Sequence, residues 1–142
     1  MVLDFSPLAN AITQLEKSQA YYHSGLAARD QELARQFRAA AIQAFECTYE
    51  LAWKMLKRYL EHSLPNPAEV DEMPFPNLIR TGNEQGLLLS AWPVWRDFRK
   101  ARGMTSHTYD EQKAEEVFAV IPAFLDDVRF LLQRLRERQN LA

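Results

Sequence analysis

The run Arg102-Gly103-Met104-Thr105-Ser106-His107-Thr108-Tyr109 holds the side chains best suited to chemistry. An imidazole such as that of His107 takes up and releases protons near neutral pH, and a guanidinium such as that of Arg102 stays charged and grips two phosphate oxygens at once. Ser106 adds a hydroxyl that can hydrogen bond, and Tyr109 a phenol at the edge of the same run. On a continuous helix Arg102 and His107 would lie roughly 140° apart around the axis. A joint role therefore requires the chain to break between them, and Gly103 permits the break. If Arg102 closes one helix and His107 precedes the next, both lie at one end of a bundle, beside free backbone N–H groups that attract phosphate. The plainer reading is local: Arg102 offsets its own helix dipole, and His107 and Thr108 cap the last helix, with Thr108-x-x-Glu111 as a capping box.

A second constellation lies earlier, in Phe45-Glu46-Cys47-Thr48-Tyr49-Glu50-Leu51-Ala52-Trp53-Lys54. Glu46, Glu50, Trp53 and Lys54 either line a cleft or belong to an ordinary bundle helix. In the second case Trp53 packs inward and Glu50 pairs with Lys54 one turn on. Arg96, Arg99 and Lys100 just before the Arg102 run form either a positive rim for a nucleic-acid backbone or a solvated helix face. His23 and His62 have no metal-like spacing around them and read as surface or capping residues, and Cys47 reads as helix filler. No metal ligands and no cofactor are expected.

The elements that must position these residues are helical. Only 4 glycines occur and no period-2 run of β-branched residues is present, while Ala, Leu, Glu, Gln and Arg abound. A first helix is expected from about Ser6, as N-cap before Pro7, to about Gly25, with Leu8, Ile12, Leu15 and Tyr22 on one face. A longer one runs from Asp30 to about His62. Its core stripe is Leu33, Phe37, Ala41, Phe45, Thr48, Ala52, Leu56 and Tyr59, and its solvent side is Arg35, Arg38, Gln43, Glu46, Glu50, Lys54 and Arg58. Prolines crowd Ser63 to Asn77, which reads as the main loop. A short helix over Asn77 to Asn83 follows, ended by Gly82 or Gly86. The next begins with Ser90 as cap and Pro93 in its first turn, carries Val94, Trp95 and Phe98 inward, and stops at Gly103. The last spans Thr108 or Asp110 to about Gln139 with a kink at Pro122. The pattern predicts an all-α protein, an antiparallel up-down four-helix bundle with a short extra helix, in one domain over 1–142.

The totals agree. The chain has 142 residues, 47% hydrophobic and 25% charged, enough for one core. With 17 Lys and Arg against 19 Asp and Glu the net charge is -2, so RNA contact requires a local basic patch. A lone cysteine fits a reducing compartment or simple indifference to redox, and the N-terminal MVLDFSPLAN lacks the features of a secretory signal, which makes the cytoplasm the expected location. The most apolar run, Val117 to Leu125, falls far short of the ~20 residues of a bilayer span, so no membrane role is expected.

The two constellations together resemble a known family. Phe45 to Lys54 is similar to the F-E-x-T-[FY]-E-L-A-W-K signature of nucleotidyltransferase substrate-binding proteins, a branch of the HEPN superfamily. Trp95, Arg102, Ser106, His107, Tyr109 and Asp110 match that family's W followed by R-N-x-x-S-H-x-Y-D, and Arg102-x4-His107-x-Tyr109 is the form found in HepT-like HEPN toxins. The similarity extends from about Phe37 to the last helix. It implies a homodimeric HEPN bundle that associates with a separately encoded minimal nucleotidyltransferase, as in two-gene toxin and antitoxin pairs. There the transferase silences its partner by attaching AMP to the motif tyrosine, here Tyr109. One departure stands out: the family commonly has Asn after the Arg, and this chain has Gly103.

Two functions are compatible with the resemblance. In the first, the dimer is a binding module that presents a cleft, lined by Glu46, Glu50, Trp53, Lys54 and Trp95, to the nucleotidyltransferase and holds or is the substrate. In the second, the protein is a metal-independent ribonuclease toxin. His107 then moves a proton at a ribose 2′-hydroxyl or leaving oxygen, Arg102 stabilises charge developing on phosphorus, Ser106 supports, and AMP on Tyr109 blocks RNA. The missing Asn bears on the second function and leaves the first untouched.

Overall fold

Apolar residues returning every three or four positions generate the helices, and their stripes meet in one core. The structure is a computed structural model and describes residues 2–140, so Met1, Leu141 and Ala142 of the expected domain lie outside the described residues. Its helices are α1 (Ser6–Tyr22), α2 (Gly25–Arg29), α3 (Gln31–Ser63), α4 (Pro67–Asp71), α5 (Phe75–Glu84), α6 (Trp92–Gly103) and α7 (Glu111–Asn140), with one 3₁₀ turn, Thr105–His107, between α6 and α7. No strand occurs among the described residues.

The long helices run up and down. The Thr48 hydroxyl of α3 donates to the Ala11 carbonyl of α1 at 3.2 Å, while Tyr21 stacks on Phe37, so α1 and α3 are antiparallel. Trp95 meets Asp127, and Ala101 and Met104 lie beside Glu116 and Val120, so α6 and α7 are antiparallel too. Leu3 and Gln139 exchange hydrogen bonds of 2.8 and 3.0 Å, and Arg129 pairs with Glu16, which sets α7 against α1 in the same sense. Phe124 of α7 is fully buried where the helices converge, with Phe45 and Phe98 edge-on to it at 4.8 and 5.3 Å. That geometry suits the quadrupoles of aromatic rings.

Several boundaries differ from the sequence expectation, each for a local reason. Ser6 is the first residue of α1 rather than its cap, and its N–H is taken by Asp4 Oδ1 at 2.9 Å. α1 ends at Tyr22 instead of Gly25, because the Ser24 hydroxyl accepts the Ala27 N–H and starts α2. The expected loop contains α4. Asn66 Oδ1 caps it by accepting the Glu69 N–H, Pro67 occupies a first-turn position that lacks a hydrogen-bonding duty anyway, and Val70 is buried. α5 is longer than Asn77 to Asn83 and includes Gly82, and Gly86, at φ 73°, follows its end.

Ser90 does not cap α6, which starts at Trp92 after Ala91. Its N–H and hydroxyl instead go to Asp127 at 3.0 and 2.6 Å. Asp110 caps α7, with Oδ1 accepting the Gln112 and Lys113 N–H groups at 3.0 and 3.4 Å. The Thr108 and Glu111 capping box is absent: Thr108 donates to the Thr105 carbonyl, and Glu111 grips Arg38 through both its oxygens. Pro122 lies inside α7, as expected.

Candidate functional site

Arg102 sits on the last turn of α6, where the chain must leave the helix, and its side chain turns toward α3. Nε donates to Glu50 Oε1 at 3.0 Å, Nη2 lies 3.3 Å from Glu46 Oε1, and Nη1 donates to the Thr105 hydroxyl at 3.3 Å. Every guanidinium nitrogen thus has a partner. Glu50 is held from its other oxygen as well, by the Trp53 indole N–H at 3.2 Å and, more loosely, by Lys54 Nζ at 3.7 Å. The expected solvent-side positions of Glu46 and Glu50 are therefore corrected. Both are half-buried and face Arg102, an attraction that the helical period of α3 alone cannot reveal.

Beyond Arg102 the 3₁₀ turn carries His107, which is exposed, and its ring meets that of Tyr109 edge-on at 6.2 Å. Tyr109 is 86% exposed and Ser106 is also on the surface. The structure thus brings Arg102 to Glu46, Glu50 and Thr105, and His107 to Tyr109, but no hydrogen bond joins Arg102 to His107 within the chain. Two of the free N–H groups expected at the start of α7, those of Gln112 and Lys113, are taken by the Asp110 carboxylate, whose charge opposes an incoming phosphate.

Glu50, Trp53, Arg102 and Gly103 line one open groove of about 510 Å³ together with Tyr49, Phe75 and Arg99. The two sequence constellations therefore meet at one place. Phe75 stands edge-on to Trp53 at 6.1 Å and lies under the Arg99 guanidinium at 5.0 Å. Tyr49 reaches the groove from the core, and burial pushes its hydroxyl pKa well above the ordinary tyrosine value. Lys54 is exposed and lies over the Trp53 ring at 5.6 Å. Trp95 does not belong to the cleft expected for it. It is fully buried, edge-on to Phe98 and Phe124 and tilted against Tyr49, with its indole N–H on Asp127 at 3.2 Å. Thr105 was not singled out in the sequence, although a hydroxyl three residues past the last helical arginine is a signal for a closing turn. Among the described residues no group of three or more His, Cys, Asp or Glu side chains could hold a metal ion, and no helix is long and apolar enough to cross a membrane.

A helical bundle whose acidic pair on one long helix clasps an arginine ahead of an exposed His and Tyr turn defines a class of small all-helical proteins. The chain belongs to the family described as nucleotidyltransferase substrate binding protein like, whose profile matches residues 3–137. It is 42% identical over 104 residues to a Haemophilus influenzae protein named "Probable ribonuclease HepT", a match covering 72% of this chain and 69% of that protein. A solved structure from Haemophilus influenzae, described as revealing the fold of a substrate binding domain of a nucleotidyltransferase, superposes with a TM-score of 0.87 at 32% identity. That superposition covers 94% of this chain and 99% of the other.

Proposed function

We propose that the protein is the partner subunit of a minimal nucleotidyltransferase, and that Tyr109 is the hydroxyl to which that enzyme transfers AMP. The observation that carries this reading is the 86% exposure of Tyr109, a large side chain held out beside His107 on a turn anchored from both sides. In the transfer the phenolic oxygen attacks the α-phosphorus of ATP. A new O–P bond forms, the bond to pyrophosphate breaks, and the phenolic proton leaves to water or to a base of the transferase. The family resemblance supports a homodimer as the form that meets the transferase. A two-gene toxin and antitoxin arrangement in the cytoplasm, where ATP is available, fits the same reading. Incubation with the transferase and ATP is expected to add the mass of one AMP, and Tyr109→Phe is expected to abolish the gain. A gain retained in Tyr109→Phe moves the acceptor elsewhere.

A second reading, a metal-independent ribonuclease acting through Arg102 and His107, is favoured by the name of the Haemophilus influenzae relative. In a single chain the carboxylates of Glu46 and Glu50 stand against it, since Arg102 must release at least one of them to grip an RNA phosphate. Slowed growth on expression without the transferase, relieved by His107→Ala, would favour this reading. Unchanged growth and intact RNA after incubation with the purified protein leave the binding subunit ahead.

A further inference from the structure

We propose that Glu50 is a positioning residue for Tyr109, acting through Arg102 and Thr105 to hold the turn on which the acceptor stands; this rests on Tyr109 being the acceptor. The connection is a chain of directed contacts. Glu50 is fixed on α3 by the Trp53 indole at 3.2 Å and reaches Arg102 Nε at 3.0 Å. Arg102 Nη1 donates to the Thr105 hydroxyl, and that hydroxyl donates in turn to the Arg102 carbonyl at 2.9 Å, closing the end of α6. The Thr105 carbonyl accepts the Thr108 hydroxyl at 3.4 Å, one residue before Tyr109. Two backbone bonds complete the turn, His107 N–H to the Met104 carbonyl at 2.9 Å and Asp110 N–H to the His107 carbonyl at 3.1 Å.

The burial pattern supports a holding role. Thr105 is 8% exposed while its neighbours Ser106, His107 and Tyr109 face solvent, so the turn has one buried anchor and an outward working face. Gly103 adds no side chain that could share the task, and nothing lies within 4 Å of the place its Cβ would occupy. With the guanidinium engaged by Glu46, Glu50 and Thr105, Arg102 serves the turn as a brace between α3 and α6. Loss of the Glu50 charge leaves Glu46 as the one anion on α3 paired with Arg102, which weakens the brace and lets the guanidinium and the turn move together. A misplacement of ~1 Å at a reacting group costs up to about a hundredfold in rate.

The test uses the full chain with its transferase and ATP, in the variants Glu50→Gln, Thr105→Val and Thr105→Ser, with Glu137→Gln near the far end of α7 as control. In Glu50→Gln and Thr105→Val, kcat for AMP transfer is expected to fall about tenfold or more with the KM for ATP unchanged, because ATP is bound by the transferase. Amide exchange at His107 and Asp110 is expected to quicken by a similar factor in the same variants while Leu56 in α3 keeps its protection. Thr105→Ser retains the hydroxyl and is expected to behave as the wild type, as is Glu137→Gln. Unchanged exchange at His107 and Asp110 in Glu50→Gln overturns the proposal, and so does faster exchange with undiminished transfer. Should Glu50→Gln loosen Leu56 as well, the same two readouts in Thr105→Val decide. Absence of transfer in the wild type defeats the acceptor reading instead, and the exchange rates still decide whether Glu50 holds the turn.

Discussion

The carboxylate of Asp127 on α7 accepts the indole N–H of Trp95 on α6 at 3.2 Å, in a place only 1% exposed. Ser90 supplies two further donors, and among the described residues no cation faces the group, so burial raises the Asp127 pKa above the ordinary aspartate value against the lowering by these hydrogen bonds. The folded state therefore holds the Asp127 proton more tightly than the unfolded chain. The resulting stabilisation is fully present below the unfolded pKa and is lost as pH rises through the folded one. Urea unfolding of wild type and Asp127→Asn across pH 3.5 to 7 is expected to show the wild type gaining on the variant as pH falls. A constant difference across that range would contradict the assignment.

Arg102→Met keeps the apolar stem of the side chain and removes its charge, leaving Glu46 and Glu50 to face each other across one turn of α3. Because the contacts are about one-third exposed, the expected loss is moderate, roughly 1–3 kcal/mol, read from the urea midpoint at unchanged slope. Added salt screens the residual repulsion and is expected to recover part of the loss. Glu50→Gln in the Arg102→Met background is expected to cost less than Glu50→Gln alone, since the partner has already gone.

Two glycines separate packing from conformation. At Gly82 a Cβ would lie 2.9 Å from Leu88 Cδ1 and 3.1 Å from Leu56 Cδ2, inside the core. Gly82→Ala is expected to destabilise by about 1–3 kcal/mol despite its better helix propensity, because two buried leucines must shift. At Gly103 nothing lies within 4 Å, so Gly103→Asn, which restores the residue common in the family, is expected to change stability by no more than about 0.5 kcal/mol. Thermal denaturation checks both. Ribonuclease activity gained in Gly103→Asn would identify the missing amide as what this chain lacks.

The long helices were legible because each buries one stripe, and Asp30 announces α3 with a carboxylate that accepts the Glu32 and Leu33 N–H groups. Four prolines concealed α4, although Asn66 followed by Pro67 is itself a helix-start signal. Ser90 misled for a different reason. It has the side chain of a cap, but its N–H and hydroxyl both donate to a buried carboxylate 37 residues away, and local pattern carries no trace of that partner.

The same limit applies to the candidate site. Similarity of two motifs pointed to Glu46, Glu50, Trp53 and Arg102, and the structure gathers these residues. It could not tell that Trp95, from the same motif, is spent on the core, since an apolar ring with one polar edge suits either setting. Nor could spacing show that Arg102 faces α3 rather than His107. That choice depends on the 52 residues separating Arg102 from Glu50.

Leu3 and Gln139, fastened by reciprocal hydrogen bonds, bring both ends of the described chain to one pole of the molecule. α7 spans 30 residues, about 45 Å of helix, and begins just after the Tyr109 turn. A dye or affinity handle attached at residue 3 or residue 139 thus stands at the pole remote from the phenol. A crosslink between those two positions would leave the Tyr109 pole untouched.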